Sequence, residues 1–534
     1  MDLTERGQNH GVRLALVVLL FVIFAGTGQT QSDSEQFTGE LYGDRNEIPN
    51  LNRPQGGADK FVLPEGWPDC NLYCPTGPEP FELEADYLYP KLQEGVGHYV
   101  TACAGGETQL QLDSKRRVTI QGEEFEWQGR TGSIDVPLRP GRSVSLDDGS
   151  NVYRIRCLPD NFPGWSFERL EDPSHRFYSL AFGRSNDNED KKLNPFVVIF
   201  DEYGVPVWWQ DEGEGTLGGE VVEYNGEPYI YWRQEGLRIE SFLEDLHQLH
   251  ALDGDLAYQF ESPHHTTDGH EFELRENGDV WMVSYVPREN TDFSSIGGPD
   301  SAWSAEAVVE QVRDGKTIWR WSTRKAIHSY EAERLLEDKF DEKDDGSYED
   351  PYDRVHLNSV EPAGDQVIVS MRNTDGVYGI DRKTGDIAWK LGGQETPESL
   401  RIIGDYYEYP TAAQHDARVL PDGTVSVFDN RSGLDQPPRV TRWRIDEEKM
   451  TATLVEAYED PLAPKSPATG SSRFSSDGSL FVYWGDSFLT TEFTPEGSIA
   501  MRLSFDGMAY RAFPVPHGLV GYRSFDRGMD AKSG

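Results

Sequence analysis

The sequence predicts an all-β chain, a six-bladed β-propeller with a small N-terminal β-sandwich domain. Three observations predict it. Glycine and proline are abundant, 53 and 32 of 534 residues, which suits many short strands joined by turns. From about residue 175 two glycine-anchored strand patterns recur with a long period. Before that, residues 79–165 alternate apolar and polar positions without any such period. A chain of this length exceeds one ordinary compact core, so two folded units are expected.

The first segment reads as an export signal. Arg6 and Arg13 bracket a weakly basic start, an apolar run spans Leu14 to Phe24, and small residues follow from Ala25 to Gly28. The run is short for a bilayer span, so residues 1–28 are read as a cleaved signal peptide, with a retained anchor as the alternative. Residues 29–78 are polar and rich in turn formers, the composition of a flexible linker. Residues 79–165 then supply strand-like runs such as Thr108–Leu112, Arg117–Ile120, Ser143–Leu146 and Val152–Arg156. They are assigned to the β-sandwich, and residues 170–525 to the propeller.

There are four cysteines, an even count that favours disulfides in an exported chain. Cys103 and Cys157 each end a strand-like run and are expected to pair. Cys70 and Cys74 form a Cys-x3-Cys pair, expected as a second bridge, although four cysteines allow three pairings. A metal at Cys70 and Cys74 would lack its second pair of ligands.

The first repeat pattern is a turn glycine followed by an alternating strand, at Gly226, Gly278, Gly364, Gly423 and Gly478. Eight residues before these stand Gly218, His270, His356, His415 and Gly470, spaced by 52, 86, 59 and 55 residues. The longest gap holds an insertion near 323–352 with an acidic run. The second pattern is Gly-x3-Trp, from Gly204 to Trp208, Gly315 to Trp319 and Gly385 to Trp389, with a degenerate copy ending at Met501. Such tryptophans would fill the space between blades. An irregular first blade starting near Phe177 brings the count to six, and Phe177–Phe182 would close the ring against the C-terminal strands.

The inner strand of each blade starts at one mouth of the channel, so residues in register converge there. Three of the five registered positions are histidine, in a chain with twelve. Asn358 lies two residues after His356. Arg372 and Arg431 each lie sixteen residues after a registered histidine, His356 and His415. Guanidinium groups beside histidines repel a divalent metal and attract an oxyanion through forked, charged hydrogen bonds, so a tetrahedral-anion pocket ranks above a metal site. His264 and His265 fall outside the register and read as loop residues.

The formal net charge of −43 disfavours a nucleic-acid partner and docking to anionic lipid. It reads as a solubilising surface.

At these motifs the sequence resembles the arylsulfotransferase family, the bacterial aryl-sulfate sulfotransferases. The segments carrying the likeness are HEFELRENGDVWMVSY, DRVHLNSVEPAGDQVIVSMRNTDGVYGIDRKTGDIAWKLGG and QHDARVLPDGTVSVFDN, within about residues 175–515. The resemblance implies an exported six-bladed propeller, periplasmic or extracellular. It would move a sulfuryl group from a phenolic sulfate ester to a phenol acceptor, by a ping-pong route through a sulfohistidine. It implies no cofactor. Carried over by motif, His415 is the nucleophile, His270, His356 and Arg372 hold the sulfate oxygens, and Asn358 assists. Arg431 is grouped with Asn358 as a substrate contact from its register. Two departures bear on substrate range: Glu271 follows His270 where aspartate is expected, and the insertion before Asp353 is long.

The expected partners are a small aryl sulfate and a phenol. No membrane association is expected after signal removal, and a homodimer is left open. A non-catalytic propeller that binds a glycan or protein at its mouth is the alternative. A quinone-dependent dehydrogenase is the third reading, disfavoured because arginines and histidines make a poor calcium site.

Overall fold

Strands dominate, as the alternation requires, in a computed structural model that describes residues 67–68, 77–182, 195–212, 216–239, 242–336, 340 and 346–532. The signal segment, nearly all of the 29–78 linker, and Cys70 and Cys74 lie outside the described residues. No helix among the described residues is long and apolar enough to cross a membrane.

From residue 165 on, the described strands build six sheets of four or five strands each, antiparallel except where Arg401–Ile403 pairs parallel with Thr451–Tyr458, in a propeller-like succession. The second to sixth sheets begin with Leu217–Tyr224, Thr266–Leu274, Leu357–Ala363, His415–Val419 and Ser471–Phe474. Each of these strands runs out to a turn glycine of the repeat. Gly423, for example, has φ 79°, in the left-handed region where a Cβ is strained. The first sheet takes its corresponding strand from the far end of the chain. Ala509–Pro514 pairs antiparallel with Phe177–Phe182, which ties the end of the ring to its beginning as the sequence suggests. The edge strand Trp165–Arg169 adds a fifth member to the sixth sheet.

The Gly-x3-Trp tryptophans fill the space between sheets. The Trp208 indole donates to the carbonyl of Leu252 in the next sheet at 2.7 Å. Trp319 does the same to Arg382 at 2.9 Å. Trp389 is buried against Ala417, Val425 and Trp443 of the fifth sheet. Aromatic rings suit this role because they bury large apolar area while one polar edge finds a partner.

The N-terminal region differs from the expected sandwich. All six of its strands join one hydrogen-bonded sheet. Strand Glu107–Gln121 pairs with Glu82–Ala85 along its first half and with Ser143–Asp147 along its second. Its pairing with Glu126–Pro137 is interrupted between Asp113 and Val118. The irregularity bends the strand, and one sheet wraps a core of its own that includes Leu110, Leu112, Val118, Ile120 and Ile155. Cys103 and Cys157 form the expected disulfide. Because this bridge spans 54 residues of sequence, replacing both cysteines by alanine should cost roughly 4 kcal/mol, read as a lower melting temperature; an unchanged transition would contradict this.

A helix, Tyr522–Lys532, ends the described chain. Asp526 and Asp530 accept from Arg154 and Arg156 of the N-terminal sheet. On its other side Phe525 and Met529 join the core of the first sheet, and Lys532 lies 3.7 Å from the Trp208 ring. Gly528 is required there, since a Cβ would come within 2.1 Å of the Leu252 carbonyl oxygen.

Candidate active site

Five of the six first strands carry an irregularity at the same level near their start. The register shifts fall between Gly218 and Glu220, Asp268 and Phe272, Leu357 and Ser359, His415 and Arg418, and Ala509 and Ala512. Bulges re-aim side chains and bend the strand. Left-handed backbone accompanies them at His356 (φ 48°) and Asp416 (φ 55°), conformations that an L-residue holds only where the surroundings fix it.

The bulges bring the three registered histidines together. The His270 and His356 rings lie 4.6 Å apart between centroids, nearly perpendicular at 77°. A fourth ring, Tyr510, joins them from the strand that closes the first sheet. Its centroid is 5.4 Å from His270 and 6.3 Å from His415. His415 is the deepest of the three, at 2% exposure, while the His270 and His356 side chains are 27% and 30% exposed.

All three imidazoles are tethered through Nδ1. His270 Nδ1 lies 2.7 Å from Asp268 Oδ1, and His356 Nδ1 lies 2.7 Å from Asp353 Oδ2. His415 Nδ1 lies 2.8 Å from Asn430 Oδ1 and 3.1 Å from the Ala413 carbonyl oxygen. Both of those partners are acceptors, so Nδ1 of His415 carries the proton and Nε2 holds a lone pair.

The partners separate the three chemically. His415 faces a neutral amide, and its pKa falls well below the ordinary imidazole value. Burial is the largest cause, and the Arg372 charge adds to it against the Asn430 hydrogen bond. Burial also acts against a charge on His270, but the Asp268 carboxylate outweighs it and raises the pKa. His356 lies between. Burial lowers its pKa, Asp353 opposes, and the His270 and Arg372 charges push it down further. The surroundings therefore favour the neutral imidazole at His415 and the charged one at His270.

Arg372 contributes charge to both His415 and His356. Asn373 holds it, accepting from Nη1 at 2.9 Å while its own amide donates to the Asp353 carbonyl at 2.6 Å. The segment leading to His415 is anchored on the fourth sheet. The Ala413 amide donates to Asp375 Oδ1 at 2.7 Å, and Arg334 grips both oxygens of that carboxylate.

Two expected contacts are placed differently. Asn358 is fully buried and its amide donates to the Gln414 carbonyl at 2.8 Å, tying the fourth sheet to the fifth beside His415. The Arg431 guanidinium is taken up by Asp429 at 3.2 Å and by Gln436, and lies 4.1 Å from the Tyr407 ring. Register places a Cα, but the nearest carboxylate decides where a guanidinium goes.

A network of buried charges adjoins the histidines. Glu271 accepts from Arg511 at 2.9 Å and from Arg418 at 2.8 Å. Asp416 accepts from Arg418 at 2.9 Å, from the Ser472 amide at 2.8 Å and from Arg473. Arg511 also donates to the Asn358 carbonyl at 2.6 Å. His270, Tyr510, Glu271, Arg418, Arg473 and Arg511 line a cavity of about 20 Å³, room for about one water. Glu271, one methylene longer than the expected aspartate, meets both Arg418 and Arg511.

Sequence reasoning missed Tyr510, Asn430, Asp268 and Asp353. Asp268 and Asp353 had a readable signal: a carboxylate stands two or three residues before each of two registered histidines, and none stands so before His415.

The arylsulfotransferase (ASST) family model matches residues 240–506, which hold His270, His356, Arg372 and His415. No curated protein matches the chain. Among solved structures, a protein of unknown function from Bacteroides caccae is 12% identical, covering 64% of this chain and 100% of that one with TM-score 0.38. A β-propeller domain from Myceliophteria thermophila is 12% identical over 62% of this chain and 86% of that one, with TM-score 0.32. A catalytically inactive virginiamycin B lyase from Staphylococcus aureus is 9% identical over 66% and 90%, with TM-score 0.30. The family match spans half the sequence, and the chain belongs to the arylsulfotransferase family.

Proposed function

We propose that this protein is an exported aryl-sulfate sulfotransferase, a six-bladed propeller whose His415 carries the sulfuryl group between donor and acceptor. The observation that carries the reading is the contrast among three convergent imidazoles, one neutral and two paired with carboxylates. Export rests on the apolar run at Leu14–Phe24 and agrees with the Cys103–Cys157 bridge, a bond of oxidising compartments.

In the first half-reaction, His415 Nε2 attacks the sulfur of the aryl sulfate. The ester S–O bond breaks and the phenolate leaves with its electron pair. A neutral imidazole is the competent nucleophile, and burial beside Arg372 keeps it neutral. His270, whose charged form the Asp268 carboxylate favours, and Arg372 face the charge spread over the sulfuryl oxygens. In the second half-reaction an acceptor phenol gives its proton to His356. Its oxygen attacks sulfur, and the Nε2–S bond breaks with the pair returning to the ring. Tyr510 borders this space as a ring against which an aryl group packs.

Mixing the protein with an aryl sulfate and a phenol should release the donor phenol at a rate set by the acceptor. Absence of turnover with every donor tried would overturn the reading. The pH dependence follows from the two shifts. The pKa of His415 lies below the ordinary 6.5, so no acid limb from the nucleophile is expected near that value. The pKa of His270 lies above it, so donor cleavage should fall as pH rises past that raised value. Single-turnover phenol release against pH reads this directly. A rate that instead climbs through pH 6.5 would place the titrating nucleophile elsewhere.

A further inference from the structure

We propose that Asn430 is a positioning residue for both half-reactions: its amide oxygen keeps one proton on Nδ1 of His415, so that the sulfated ring leaves as a neutral imidazole. The inference rests on the sulfotransferase reading above and deepens it. Asn430 follows the strand Val425–Asp429 of the fifth sheet and is buried. Its Nδ2 faces three acceptors on the segment entering the sixth sheet: the Ser466 carbonyl at 3.1 Å, the Ser466 hydroxyl at 3.2 Å and the Thr469 carbonyl at 2.7 Å. Carbonyl oxygens only accept, so the NH₂ group must turn to them. Oδ1 must then turn to His415, 2.8 Å from Nδ1. The amide is thus oriented by the sixth sheet and not by the imidazole it holds.

The other two tethers are carboxylates, Asp268 at His270 and Asp353 at His356. A carboxylate can take the proton it accepts, and an amide oxygen cannot. The difference acts where the Nε2–S bond breaks. With the proton retained on Nδ1, the bonding pair returns to Nε2 and the ring departs neutral. A carboxylate drawing that proton away would make the departing ring resemble an imidazolate, a stronger base and a poorer leaving group. It would also make the free ring a stronger base, so that protonation competes with attack at higher pH. Exchange between two phenols needs a ring that both attacks and leaves, and the neutral tether meets both demands. The other groups facing His415 are Arg372 and His356 from the fourth sheet, His270 from the third and Tyr510 from the first, none of them a carboxylate. The carboxylates near its segment are engaged elsewhere, Asp375 by Arg334, Asp429 by Arg439 and Asp416 by Arg418.

The test compares Asn430→Asp with the unaltered full chain, using an aryl sulfate as donor and a phenol as acceptor. Two rates are read separately: phenol released in the first turnover without acceptor, and discharge of the sulfated protein once acceptor is added. Asn430→Asp is expected to slow discharge at least about tenfold more than release, the ratio that one pKa unit represents, so that sulfated His415 accumulates. First-turnover release should also gain an acid limb, rising with pH as the His415 ring loses its proton. Asn430→Ala, which removes the tether without adding a charge, should slow both steps and gain no limb. Thermal unfolding of each variant measures the cost of the lost bonds to Ser466 and Thr469. A purely structural role would lower both rates together and leave the pH profile unmoved, and that result for Asn430→Asp would overturn the inference. Should Asn430→Asp not fold, nitrogen-15 spectra of the unaltered protein decide, with the His415 signals identified by their loss in His415→Ala. A proton held on Nδ1 throughout the active pH range is expected, and a ring protonated on Nε2 would overturn the inference. Absence of transfer by the unaltered chain would instead overturn the sulfotransferase reading beneath it.

Discussion

Replacing His415 with alanine is expected to abolish sulfuryl transfer, a fall of at least about 10⁴-fold in kcat, with the fold retained. Magnitudes of this order accompany removal of a covalent nucleophile, because what remains is only binding and charge stabilisation. The structure explains why folding should survive. His415 has two hydrogen-bond contacts, to Asn430 and to the Ala413 carbonyl. Asn430 keeps its other bonds, to Ser466 and to the Thr469 carbonyl at 2.7 Å. The residual cost is two buried acceptors left unpaired, Asn430 Oδ1 and the Ala413 carbonyl oxygen, about 1–3 kcal/mol each. Steady-state assay and thermal unfolding of the same sample separate the two effects. A variant that keeps its rate would remove His415 from the mechanism.

The second large effect concerns stability. Asp416 is fully buried and balances Arg418, Arg473 and Arg511. Asp416→Asn keeps a side chain that tolerates the left-handed φ of 55°, yet removes the charge. Breaking a buried ion pair on one side costs about 3–5 kcal/mol, since the remaining charge stays buried and uncompensated. The urea midpoint should fall accordingly, and a change under about 1 kcal/mol would show that water reaches the arginines. The sign with pH is fixed as well. Burial raises the Asp416 pKa, but the three guanidinium groups and the Ser472 amide outweigh it, and the carboxyl is held far below its ordinary value. Its contribution is therefore present above the unfolded value near 3.9 and is lost only as pH falls toward the much lower folded one.

Much of this was legible in the sequence because a repeat converts counting into geometry. Turn glycines at Gly278, Gly364 and Gly423 put His270, His356 and His415 at the same level of three successive sheets, and there they meet. The same count failed for Arg431, whose long side chain reaches a nearer carboxylate, Asp429. Tyr510 escaped because its strand completes the first sheet from the far end of the chain, outside the glycine register. The N-terminal region shows what alternation leaves open. Apolar positions at every second residue describe a buried face, and they read alike in two facing sheets or in one sheet bent near Ser114–Arg117. The final helix is short, and its reason for existing is contact with Trp208, Arg154 and Arg156, none near it in sequence.

The central claim is that His415, alone of the three, accepts the sulfuryl group. The most direct measurement is rapid quenching within the first turnover on an aryl sulfate, without acceptor, followed by peptide mapping. The account predicts one SO₃ group on the peptide holding His415, formed as the donor phenol is released and discharged when a phenol is added. The same group first appearing on His356, His270 or Tyr510, or steady turnover with His415 never modified, would contradict it.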